Sequence, residues 1–197
     1  MLADGLHDVP PGKVAAVVTH LEMRRPPALR PAPTDLAIRR VTNPDLDWYR
    51  SLFRRVGGYD WLWFSRLNLD DDALRTIITD PNVEIWPISK DGAEEGFLEL
   101  DFRTRGTCEL AFLALAPALI GTGTGRALMN YAITRAWARP ISRFHVQTCT
   151  LDSPRALEFY RRSGFTPTRQ QVEIADDPRL TGKLPLEAGP HVPLLRP

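Results

Sequence analysis

The chain has 197 residues, enough for one domain or one domain with extensions. Its 25 basic and 24 acidic side chains are interspersed and leave a formal net charge of +1, which argues against nucleic acid as a main partner. No apolar run approaches the ~20 residues needed to cross a bilayer, and the opening MLADGLHDVPPGK lacks the basic start and sustained apolar stretch of a secretory signal.

Residues 1–35 read as a proline-rich N-terminal extension (Pro10, Pro11, Pro26, Pro27, Pro31, Pro33) in which VAAVVTHLEM can form one strand. Residues 36–175 read as the main domain. Leu36 to Val41 is expected as a strand, and Asn43-Pro44 as a helix start with Asn43 the cap. Leu46, Tyr49, Phe53 and Val56 share a face of that helix, and Gly57-Gly58 ends it. The aromatic stretch YDWLWFSRL follows, then a second helix over 71–79 capped by Asp70 or Asp71.

Three strands are expected next, Val83 to Ser89, Gly96 to Arg103 and Thr107 to Ala116, joined by turns at Lys90-Asp91-Gly92 and Thr104-Arg105-Gly106. In the middle one Leu98, Leu100 and Phe102 alternate with Glu99, Asp101 and Arg103, which predicts one buried face and one partly wet face. A helix after Gly125 leads to a strand at Ile141 to Thr150, which must run parallel to its predecessor because a helix crosses between them. Ser153-Pro154 starts the last helix, Gly164 ends it, and Phe165 to Ala175 supplies final strand material. Residues 176–197 hold too many prolines and glycines for regular structure and are expected to pack on the body.

The stretch that organises the chain is CELAFLALAPALIGTGTGRAL, a strand, a glycine loop and a helix start in that order. Such a unit offers unpaired backbone N–H groups and a helix dipole to an anion. It is not the dinucleotide fingerprint, which needs glycine where Arg126 stands, and it lacks the Gly-Lys-Ser/Thr of a P-loop. Downstream lies LDSPRALEFYRRSGFTP.

Ile120-Gly121-Thr122-Gly123-Thr124-Gly125 resembles the Gln/Arg-x-x-Gly-x-Gly/Ala pyrophosphate loop of the GCN5-related N-acetyltransferase (GNAT) superfamily, with Ile120 in place of Gln/Arg. Ala156, Tyr160, Gly164 and Phe165 fall in register with that superfamily's second motif, Asn-x-x-Ala-x-x-x-Tyr-x-x-x-Gly-Phe, with Ser153 in place of Asn. The resemblance extends from about Leu36 to Ala175. It implies an α/β (α+β) fold with a mixed, mostly antiparallel sheet of six to seven strands and about four flanking helices. It also implies a cytoplasmic transferase moving an acetyl group from acetyl-CoA to a primary amine of a small molecule or peptide, by direct attack through a tetrahedral intermediate.

The resemblance assigns the diphosphate to Gly121, Thr122, Gly123, Thr124, Gly125 and Arg126, with Ser153 and Tyr160 as further coenzyme residues. It assigns the pantetheine arm to the backbone of Leu113, Ala114 and Leu115. Tyr160 matches the tyrosine that protonates the leaving thiolate, a transfer between groups of similar basicity. Glu109 falls where histone-type members place their base, and burial among apolar neighbours raises a carboxylate toward that task. Glu99, Asp101 and water are alternatives. Trp61, Trp63, Phe64 and Glu99 are candidate walls of the acceptor site, the aromatics serving equally as core. A longer acyl donor and a non-catalytic coenzyme-binding module are the rival readings, and a homodimer is left open.

Cys108 and Cys149 are expected as buried reduced thiols in strands, with a disulfide the alternative. The four histidines have no zinc-ligand spacing, so no metal is expected. His145 on a strand is expected to be structural.

Overall fold

The computed structural model describes residues 3–33 and 37–197. The expected domain boundary at 35/36, and Leu36 itself, lie outside them. Six strands form one sheet in the order β2-β3-β4-β5-β1-β6. They are β1 (Lys13–Met23), β2 (Val83–Lys90), β3 (Ala93–Asp101), β4 (Thr107–Leu115), β5 (Arg143–Cys149) and β6 (Thr166–Asp176). All neighbours run antiparallel except β4 and β5, which are joined by a helical crossover and run parallel. This is the mixed α/β architecture expected from the sequence. The N-terminal strand β1 is an interior member of the sheet, hydrogen-bonded to β5 on one side and to β6 on the other.

The helices divide between the sheet's faces. α4 (Thr124–Trp137) and α5 (Ala156–Arg162) cover one, packing Leu128, Met129, Ala132 and Tyr160 onto Leu98, Leu100, Cys108 and Leu110. α1 (Leu46–Phe53) and α3 (Asp71–Ile78) cover the other, where Tyr49, Phe53 and Leu74 meet Ile85 and Phe97. The alternation of Phe97 with Leu98 between the two clusters is the strand's two-residue period. Each face buries a continuous apolar layer, the main favourable contribution to folding.

Several local expectations change. The segment after residue 36 makes two isolated bridges, Ile38 to Ile88 and Val41 to Ile85, rather than a full strand. Asp45, not Asn43, caps α1: its carboxylate accepts from Trp48 N at 2.9 Å, while Asn43 turns the chain at φ 56°. Asn and Asp are near-equal caps, so composition alone does not choose between them. Gly57-Gly58 does not end the helix. A π-turn over Arg54–Gly58 carries it into a short turn, α2 (Tyr59–Trp61), and the chain breaks at Leu62 in the left-handed region.

β3 has no wet face. Glu99 is fully buried and Asp101 nearly so, because α1 and the segment after it cover the polar side of the strand. Arg155 rather than Ser153 holds the cap position of α5, although the Ser153 hydroxyl still accepts from Arg155 N at 3.4 Å. Cys108 is buried, Cys149 is half-buried, and both are free thiols. The C-terminal tail is irregular and ordered by one residue. Buried Arg179 pairs with Asp177 at 2.7 Å and donates to the carbonyls of Ala188, Val192 and Pro193.

Candidate functional site

The site begins where β4 and β5 part. They pair only from Thr107–Arg143 to Glu109–His145. Beyond Glu109, β4 continues to Leu115 with β3 on one side and, among the described residues, no strand on the other. A register shift opposite Glu99/Leu100 leaves Ala111 as an extra residue in β4. Such a bulge bends and twists its strand, and the bend opens a wedge between β4 and β5.

Two cavities meet at this wedge. The larger, about 540 Å³, lies between α4 and α5. Leu113, Ala114, Leu115, Gly121, Gly123, Gly125, Arg126, Ser153 and Tyr160 all line it, as do Trp61 and Trp63. Gly121 and Gly123 have φ of 85° and 89°, backbone that side-chain-bearing residues rarely adopt, so the loop depends on glycine at both. Five arginines line this cavity (Arg30, Arg126, Arg155, Arg161, Arg162) against one carboxylate, Asp152. Backbone N–H groups at the start of a 14-residue helix and a surplus of guanidinium suit a polyanionic ligand.

Not every loop residue turns into the cavity. The Thr122 hydroxyl donates to Leu119 O at 2.8 Å and meets the Thr124 hydroxyl at 2.8 Å, so both threonine side chains brace the turn. Arg126 donates from Nη1 to Pro31 O at 3.0 Å, which commits one arm of its guanidinium to the N-terminal segment.

The smaller cavity, about 280 Å³, opens on the other side of the wedge and contains Phe64, Arg66, Asp101, Arg103, Glu109 and Glu173. Leu113, Trp63, Asp152 and Tyr160 line both cavities and form the partition. Asp152 fixes it: its carboxylate accepts from Trp63 Nε1 at 2.7 Å, from the Thr148 hydroxyl at 2.6 Å and from Cys149 N at 3.0 Å. Trp63 in turn packs against Gly57 so closely that a Cβ there would lie 2.1 Å from its ring.

Three neighbouring carboxylates fare differently. Glu99, read from the sequence as a candidate substrate residue, lines neither cavity. It is sealed on the far side of β3, accepting from the Tyr49 hydroxyl and from Arg66 Nη2, each at 2.6 Å. Asp101 is clamped by Arg103 through its side chain and backbone N–H, which outweighs burial and holds its carboxyl below the usual range. Glu109 faces the smaller cavity, and no hydrogen bond among the described residues reaches its carboxylate. Burial first, and then the charge of Asp101, pushes its pKa up. Burial likewise raises the Tyr160 phenol, with the Asp152 carboxylate adding to the shift.

Asp152 and Arg66 were not singled out in the sequence. Asp-Ser-Pro after a strand is a turn signal that locates Asp152; Arg66 offers no local signal, because its partner Glu99 lies 33 positions away. His145 stays structural, half-buried on β5 with its pKa lowered to about 4 by burial and Arg143. His191 packs on Trp61 and meets Leu151 O at 3.1 Å. Among the described residues, no group of His, Cys, Asp and Glu is arranged to hold a metal ion, and no helix is long and apolar enough to cross a membrane.

A family model for the acetyltransferase (GNAT) family matches residues 46–165. No curated protein matches the chain in sequence. Among solved structures, it is similar to a functionally unknown conserved protein from Staphylococcus epidermidis, at 13% identity and a TM-score of 0.56, covering 84% of this chain and 63% of that one. A GCN5-related N-acetyltransferase from Sphaerobacter thermophilus aligns at 17% identity and a TM-score of 0.58, covering 85% of this chain and 53% of that one. This chain thus spans less than two thirds of either. A GNAT family acetyltransferase from Elizabethkingia anophelis, solved with acetyl-CoA bound, aligns at 17% identity and a TM-score of 0.52 over 70% of this chain and 80% of that one. At these identities the likeness speaks to the fold.

Proposed function

The chain belongs to the GNAT acetyltransferase family, and on that premise we propose that it transfers an acetyl group from acetyl-CoA to a primary amine of a small molecule or peptide. One observation carries the reading: Tyr160 stands in the wall shared by a cation-lined cavity and a carboxylate-lined one. A donor and an acceptor held on opposite sides of one partition meet at that residue.

The larger cavity fits the coenzyme by its own chemistry. Glycine-loop N–H groups and guanidinium suit phosphates, and the unpaired edge of β4 at Leu113–Leu115 offers backbone partners for an amide-bearing arm. Bound there, acetyl-CoA supplies an activated thioester. The rest falls to the protein. An alkylammonium must lose a proton before it can attack. Glu109, raised and without an ion pair among the described residues, is the base that takes it. A carboxylate whose pKa is raised holds an abstracted proton better than an exposed one.

Tyr160 delivers a proton to the sulfur as the thiolate leaves. Burial raises its pKa, which keeps the phenol protonated but makes it a weaker acid than the matched basicity expected from the sequence, so the proton moves as charge builds on the sulfur. The negative charge of Glu109 and Glu173 in the smaller cavity favours a cationic acceptor, and its size favours a slender one such as an alkylamine chain. Trp63 and Phe64 wall the acceptor, Trp63 through the bond that Asp152 accepts.

The test is a panel of primary amines with acetyl-CoA, read by released thiol. Wild type turns over at least one amine, and Tyr160→Phe loses on the order of 10²-fold in kcat, the scale of a general acid. Undiminished turnover by Tyr160→Phe removes its role as acid. Absence of thiol release across the whole panel removes transferase activity.

A further inference from the structure

The segment after β1 forms a wall of the larger cavity. Pro27, Ala28, Leu29 and Arg30 line it directly. The wall is tied to α4 at two points: Asn130 Nδ2 donates to Arg30 O at 2.7 Å, and Arg126 Nη1 donates to Pro31 O at 3.0 Å. It is seated on glycines at either end. A Cβ on Gly164 would lie 3.1 Å from Pro27, and one on Gly123 would lie 3.0 Å from Pro33. Prolines at 26, 27, 31 and 33 restrict its backbone, so little freedom remains to be lost when a ligand binds. β1, paired on both sides, anchors its start.

We infer that this strap is the outer clamp of the coenzyme site, and that the Arg30 guanidinium binds the 3′-phosphate at the nucleotide end. The inference rests on the coenzyme reading above. That reading assigns the thioester to the partition at Tyr160 and the diphosphate to the glycine loop. The nucleotide then has only the remaining side of the cavity, the side the strap closes. The cations there are mostly committed: Arg161 and Arg162 share Glu158 at 3.3 and 3.8 Å, and Arg126 holds Pro31 O. Arg155 has no carboxylate partner, but it stands at the opposite end of α5, beside Ser153. Arg30 is exposed, has no carboxylate partner among the described residues, and presents the forked donors that match a phosphate.

The experiment is calorimetric titration of wild type and Arg30→Gln with CoA and with 3′-dephospho-CoA. Wild type binds CoA about tenfold more tightly than 3′-dephospho-CoA, the scale of one charge-assisted contact. Arg30→Gln abolishes that preference by weakening CoA alone, and affinity for 3′-dephospho-CoA moves less than about twofold. Because Arg30 is exposed and only its backbone carbonyl is hydrogen-bonded, the substitution leaves the fold intact. A variant that keeps the preference, or that weakens both ligands equally, overturns the role of Arg30 while the coenzyme site stands. A wild type that binds neither ligand overturns the coenzyme reading and the clamp with it.

Discussion

Glu84 and Glu109 are both taken out of bulk water on strands of one sheet, and their surroundings are opposite. Glu84 is fully buried inside a cage of guanidinium. Arg135 bonds both its oxygens at 2.8 and 2.9 Å, Arg139 reaches it at 2.6 Å, and Arg40 stands at 3.9 Å. Burial disfavours its charge, but the three cations more than offset that, and its pKa is lowered. Glu109 has burial without a cage, and its pKa is raised. One residue type thus serves as a tether for α4 in one place and, in the function proposed above, as a proton acceptor in the other. Charge compensation decides between stability and chemistry.

Mutation separates the roles of the two carboxylates. Glu109→Gln keeps the shape and removes the base. Turnover of the best amine falls about 10²–10⁴-fold, while the melting temperature holds or rises, because a carboxylate whose charge burial disfavours has been removed. A matching loss of stability would mean that Glu109 is structural.

Glu84→Gln does the reverse. It strands three guanidinium groups against an amide and costs about 3–5 kcal/mol, a fall of roughly 10 °C for a chain of this size, with turnover per folded molecule nearly unchanged. The sign of its pH dependence follows from the lowered folded pKa. The stabilisation is present above the unfolded carboxylate pKa and is lost as pH falls through the lower folded value. His145 adds a loss of the same sign beginning nearer neutrality, since its folded pKa of about 4 lies below its unfolded one. Acid titration of wild type beside Glu84→Gln, followed by circular dichroism, checks this: Glu109 contributes the opposite sign in both proteins, so an acid profile of the same shape in the two would contradict the Glu84 term.

Gly57→Ala is the smallest. Its Cβ lands against the Trp63 ring, costs about 1–3 kcal/mol by overpacking, and raises KM for the amine more than it lowers kcat. Thermal melts with steady-state kinetics separate the two. An unchanged melting temperature would show that the partition yields more readily than its packing suggests.

What the sequence revealed follows from where each constraint originates. The loop from Gly121 to Gly125 and the helix bearing Tyr160 were legible because the reasons for their residues are local: left-handed backbone at two glycines, and a tyrosine in register with a helix-ending Gly164. Glu109 was legible as a candidate base only through its spacing from the loop; its place as the last β4 residue paired with β5 was not.

Glu99 was misread because strand alternation sees one strand. What buries it is Tyr49 and Arg66, 50 and 33 positions away. The strap was invisible for the same reason. Prolines at 26–33 announce an irregular segment, but its seat depends on side chains at 126 and 130. Even β1, readable as a strand from its β-branched residues, carries no mark of the interior place between β5 and β6 that it occupies.

Deprotonation of the amine by Glu109 is read from the pH profile of kcat/KM. Wild type should show an acid limb governed by an ionisation above the ordinary carboxylate range, and in Glu109→Gln that limb should disappear along with most of the activity. A profile of the same shape in both proteins would contradict the claim and assign the proton to water or to another group.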